Sequence, residues 1–389
     1  MESALAEAAE RSKRYDWTTA TSLYKQALET QEHETEETGR LAELLASAYF
    51  KAAFQARTRE EFKGRMELAE SAYARTSGLF RRLNSEGASK KAQAKGLYAS
   101  FWVSDNPEER RDIIEKSISL AEEAAQKLEG TKSIKALAET HRDILEYLVE
   151  ANHLAKNLEH LKQTFETAVT VGDRAIEEFE EIADLEGLSE SLNSTIVVLS
   201  SVGELILDKS KFDELAPKRL KLERRLNEVS RTVGTPKALA LACEAAAFIA
   251  SEKFELQKML DLSRSGLRAA EETKDSYLMG RLSYMFQYST NWSQSLTDDT
   301  EQIRVVVERC LAITPRVIEE LKISMHGGYL DQAYSMYAES YITIATDLKV
   351  DAKDKQAFTC SRLLMLEGRA FTTETFPKIS MPRTQQARQ

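Results

Sequence analysis

The feature that most constrains this chain is the run from Tyr15 to Leu28, where Trp17, Ala20, Tyr24 and Ala27 succeed one another at intervals of three and four. Such intervals put all four side chains on one face of an α-helix. The two alanines let a neighbouring helix approach closely, and the two rings fill the space on either side. An alanine-rich segment, Met1 to Lys13, precedes the run and is joined to it by a short turn. The stretch therefore predicts two antiparallel helices packed through alternating small and large residues.

Composition extends that expectation to the rest of the chain. Apolar residues make up 42% and charged residues 30%, with only 15 Gly and 6 Pro in 389 residues, which suits long helices with solvated outer faces. The net charge of −10 argues against a surface built for phosphate backbones, so nucleic acid is not an expected partner. Cys243, Cys310 and Cys360 lie far apart and form no CxxC pair, the usage of a reducing compartment. The first residues lack a basic segment followed by an apolar core, and no apolar run reaches the ~18 residues of a membrane span. A soluble, cytoplasmic, all-helical protein without membrane association is expected.

Punctuation along the chain marks the helices. Asn106-Pro107-Glu108-Glu109 combines an N-cap, a proline tolerated at the first position and two acids at the positive end of the helix dipole. Gly130 predicts a stop, Pro217 a start or kink, and Gly234-Thr235-Pro236 a stop followed by a capped restart. Thr314-Pro315 reads as another capped restart and Gly327-Gly328 as a break. Thr195 to Leu199 is the one strand-like stretch, and its helical surroundings predict helix there too.

With small residues at Ala20 and Ala27 around the ring of Tyr24, the first unit resembles a tetratricopeptide repeat. Leu45, Ala46 and Tyr49 carry the resemblance into a second hairpin, and Ala69 and Tyr73 into its partner helix, where Thr76 takes the place of the third small residue. The resemblance implies an all-α, right-handed α-solenoid of antiparallel helical hairpins, an architecture whose usual work is holding other macromolecules. First helices are expected near residues 1, 37, 88, 132, 186, 235 and 276, mostly farther apart than the ~34 residues of the standard unit, which predicts long irregular repeats. Residues 1–376 would form the solenoid, with a sub-boundary near 234–236, and residues 377–389 a disordered basic tail or linker. Family members that grip a peptide's terminal carboxylate use Lys and Asn on first helices. The matching positions here hold Leu5, Ala9, Glu43 and Ser47, so that clamp is not implied.

No phosphate-binding glycine loop, dinucleotide fingerprint or nucleophile elbow occurs, and no enzymatic activity is expected. Glu150 and His153 form the ExxH pair of the chain, but helical two-metal sites need that pair twice with two further carboxylates. An ordinary solvated helix face is expected there, with no metal or cofactor. Lys218, Lys221 and Arg225 share a face that could receive an acidic segment, a phosphate or nucleic acid; the simpler reading is an outer face opposite Leu215, Leu222 and Leu226. Tyr49, Tyr98, Trp102, Tyr147, Tyr334 and Tyr337 could line an inner groove. The sequence thus leads to a non-catalytic scaffold or adaptor that binds a protein or peptide segment on a concave face. Its candidate partner-binding residues are Tyr49, Tyr98, Trp102, Tyr147, Lys218, Lys221 and Arg225. The alternative is a regulatory or sensory helical domain of a larger signalling protein, binding a small effector.

Overall fold

The computed structural model describes residues 2–131, 133–253, 255–292, 299–324 and 327–347; the helix expected from 353 to 371 and the basic tail lie outside them. Among the described residues the chain is helical and contains no strand. The first hairpin pairs α1 (Glu2–Lys13) with α2 (Trp17–Glu29), and the second pairs α3 (Glu36–Ala53) with α4 (Arg59–Arg82). The third joins α5 (Glu86–Val103) to α6 (Pro107–Glu129), and the fourth α7 (Ile134–His153) to α8 (Leu158–Glu181). In the fifth, α9 (Leu185–Val197) runs through a π-helical turn at Val198–Val202 into α10 (Gly203–Ile206). A short α11 (Lys209–Glu214) then leads to the returning α12 (Ala216–Val233). Two further hairpins follow, α13 (Pro236–Glu252) with α14 (Leu256–Thr273) and α15 (Ser276–Trp292) with α16 (Thr300–Ser324), before α17 (Gly327–Asp347).

Local chemistry sets these boundaries. Side chains of Asp16, Thr35, Thr58, Asn106, Ser133, Asn157, Asp184 and Thr235 each accept a backbone N–H of the helix that follows. Gly234 ends α12 in the left-handed region at φ 67°, where a Cβ would be strained. Pro217 starts α12, and Pro236 starts α13. Pro315 behaves differently from its expected role. It lies inside α16, so no restart occurs, and the preceding Thr314 hydroxyl bonds back to the carbonyl of Cys310 at 2.7 Å. The strand-like Thr195–Leu199 is helical, passing into the π turn.

The opening face is the seam of the first two hairpins. Ala20, Ala27 and Tyr24 are buried in one cluster with Leu41, Leu45 and Ala48 of α3. Successive first helices also touch one another, α5 with α7, α7 with α9, α9 with α13, α13 with α15 and α15 with α17. That inner layer puts the first helices on the inside of the curve. The curve is tight enough for the array to meet itself, and α16 packs on α4. The Ser276 amide donates to the Phe54 carbonyl at 2.7 Å, and Arg59 donates to the carbonyl of Ile323. The concave face expected from sequence is consequently an enclosed interior.

Candidate functional site

The interior is lined by charged side chains of the first helices, joined in one chain of ion pairs. Glu139, Lys91, Glu43, Lys95, Asp143, Arg142, Glu190 and Lys237 follow one another in alternating sign, with links of 2.6 to 3.3 Å. They come from α3, α5, α7, α9 and α13, so the ladder ties five consecutive hairpins. Burial works against the charge of Glu43, but Lys91 and Lys95 outweigh it and hold the carboxyl down at about 2. Lys237 and Arg142 likewise overcome burial at Glu190, also at about 2. Farther along, Asn193 donates to Glu244 at 3.1 Å, and Arg281 of α15 pairs with the same buried carboxylate.

Two ionisable groups stand outside this compensation. Burial, reinforced by the negative charge of Asp143, pushes Glu146 up to about 7, and the carboxylate accepts the Tyr98 hydroxyl at 3.2 Å. Desolvation by the surrounding side chains, together with the positive charge of Lys237, pulls Lys51 down to about 8, although its side chain remains exposed to solvent. Among the described residues no carboxylate lies within ion-pair distance of Lys51, whose ammonium sits 4.5 Å from the ring centre of Trp17.

Lys51 and Trp17 line a cavity of about 300 Å³ between the first two hairpins and the α9 and α13 side of the ring. Its lining includes Trp17, Tyr24, Leu44, Ala48 and Gln55 from the first two hairpins, and Glu190, Lys237, Thr273 and Asp275 from later ones. Tyr15 fastens one end. Held in the left-handed region at φ 56°, it accepts the Lys237 amide on its hydroxyl at 3.2 Å and the Gln55 side chain on its carbonyl at 2.7 Å. The same Gln55 amide reaches the Thr273 carbonyl at 2.9 Å, bridging segments 218 residues apart.

Three of the aromatic candidates from sequence are core residues. Tyr98, Trp102 and Tyr147 are 3%, 1% and 2% exposed, and they form one packed group with Phe50, Phe54, Phe101 and Tyr277. Tyr49 is half-buried, packed against both the seam of the first two hairpins and the aromatic group. On α12, Lys218 pairs with Asp173 and Arg225 with Glu180, both on α8, while Lys221 is exposed. That cluster sits on the second-helix side, away from the ladder. Glu150 is no solvated residue: it is 2% exposed and accepts the Tyr277 hydroxyl at 2.7 Å. His153 packs against Tyr329, and among the described residues no group of side chains could hold a metal. No helix of the described residues is long and apolar enough to cross a membrane.

The ladder residues escaped the sequence reading. Their signal was a repeat of 48 residues: that spacing separates Lys91 from Glu139, Tyr98 from Glu146 and Asn193 from Leu241.

No protein-family model and no curated protein matches the sequence. Solved structures do. A Rap protein crystallised in complex with competence and sporulation factor superposes with a TM-score of 0.53 at 12% identity, over 95% of this chain and 94% of that one. A signal-transduction ATPase with a tetratricopeptide-repeat sensor, from Pyrococcus horikoshii, gives a TM-score of 0.48 at 13% identity, over 92% of this chain and 47% of that one. The chain shares with the Rap protein an all-helical repeat fold.

Proposed function

We propose that this chain is a non-catalytic, cytoplasmic binding protein that holds a peptide or protein segment inside its ring of helical hairpins. The observation that carries the reading is the lining of the interior. A polar, internally compensated ladder runs along five first helices and, among the described residues, leaves Lys51 and Glu146 without an ion-pair partner. Extended segments suit such a surface, because their backbone groups and side chains meet alternating charges on one side and an apolar wall on the other. The fold shared with a Rap protein solved in complex with competence and sporulation factor supports the same reading. A cavity of about 300 Å³ favours a second reading, a small effector held at the same place.

The test is affinity selection from a pool of N-acetylated random heptapeptides, followed by hydrogen exchange on the complex. Retained peptides should protect α3, α5, α7 and α13. Protection restricted to second helices would refute interior binding, and retention of small metabolites in place of every peptide would establish the second reading.

A further inference from the structure

Lys51 is the odd member of an otherwise matched set. Each cation of the ladder, Lys91, Lys95, Arg142 and Lys237, has a carboxylate within 3.3 Å. Lys51, exposed to solvent, has no carboxylate within ion-pair distance among the described residues and sits over the face of Trp17. The acids around it are engaged elsewhere or open to solvent. Glu190 is shared between Arg142 and Lys237, Asp275 accepts the Leu278 amide at 3.0 Å as a helix cap, and Glu186 is exposed. Near Lys51, then, positive charge is in excess.

The same cavity holds an exposed leucine. Leu44 is 49% exposed and lines the cavity, as does Trp17. Leu44 and Lys51 are seven residues apart on α3, two helical turns and about 10 Å along one face. Roughly three residues of extended peptide span that distance.

We infer that this cavity receives a ligand carboxylate at Lys51, beside the ring of Trp17, and, about three ligand residues away along α3, an apolar side chain against Leu44. The inference rests on the interior-binding reading above and gives it a ligand chemistry. The carboxylate has two possible sources, a peptide C-terminus and an Asp or Glu side chain.

Three pools of N-acetylated heptapeptides, all without Lys and Arg, separate them. The first has a free C-terminus and no Asp or Glu, the second an amidated C-terminus with Asp and Glu, and the third is amidated with neither. Retention by the full chain is measured by mass spectrometry. At least one carboxylate-bearing pool should be retained about tenfold better than the third, as a charge-assisted bond implies. Which pool leads identifies the source. The advantage should vanish in Lys51→Gln and persist in Lys51→Arg, which also controls for folding. Equal retention of all three pools, or an advantage that survives Lys51→Gln, overturns the inference while leaving interior binding intact. No retention of any pool overturns both.

Discussion

Replacing Glu43 by Gln tests the ladder at a carboxylate shared between two lysines. Glu43 binds Lys91 at 3.1 Å and Lys95 at 3.3 Å, and its carboxyl is held at about 2 against an ordinary 4.5. A depression of that size corresponds to about 3 kcal/mol of stability at pH 7, at ~1.4 kcal/mol per unit. The sign follows from the direction of the shift. A carboxylate depressed in the folded state contributes fully above 4.5, and the contribution is lost as pH falls through about 2. Glutamine mimics the protonated acid, so the gap between wild type and Glu43→Gln should be about 3 kcal/mol at pH 7 and shrink to about 1 kcal/mol at pH 3. Urea unfolding followed by far-UV circular dichroism at both pH values measures the gap. A gap of the same size at pH 7 and pH 3, or none at pH 7, would refute the claim that Lys91 and Lys95 fix the ionisation of Glu43.

Ala20→Glu puts a carboxylate at a fully buried seam against α3 and should cost on the order of 3 kcal/mol, seen as a clear fall in melting temperature. Gln55→Ala removes both bonds that bridge Tyr15 and Thr273; about 2 kcal/mol should be lost, and small-angle scattering should show a wider particle if those bonds hold the ring closed. Lys51→Met should raise stability only slightly at pH 7, because an amine lowered to about 8 opposes folding while it is charged, but solvent at this exposed position screens most of the effect. That advantage should fade as pH rises through about 8 towards 10.5, and a constant advantage across this window would exclude the charge as its cause.

Much of the architecture was legible because it is local. Caps such as Asn106 and Thr235, stops such as Gly234, and the Trp17–Ala27 face act within one or two turns of helix. Pro315 misled for a local reason as well: a proline following a threonine looks like a capped start, whereas here α16 tolerates it in mid-helix. The interior was illegible for the opposite reason. Lys91 gives no sign in its own helix that its partners are Glu43 and Glu139 in the hairpins before and after. The rings of Tyr98, Trp102 and Tyr147 were visible, but their burial depends on Phe54 and Tyr277, and Tyr277 reaches them only because the array closes on itself.

Stability alone does not account for eight charged residues on the inner layer. Desolvation cancels much of what a buried pair contributes, and apolar replacements of similar volume often do as well or better. What the ladder provides is register and a polar lining. Each link joins first helices of different hairpins, apart from the step between the neighbours Asp143 and Arg142, so slipping one hairpin against the next would leave charges unmatched. The same pairing leaves the lining near neutral, so a partner entering the ring meets fixed dipoles and few free charges. Under those conditions a single unmatched ammonium has unusual influence. Lys51 faces no competing carboxylate within ion-pair distance among the described residues, and Leu44 and Trp17 share its cavity, so a ligand carrying both an acid and an apolar group satisfies what the fold leaves open.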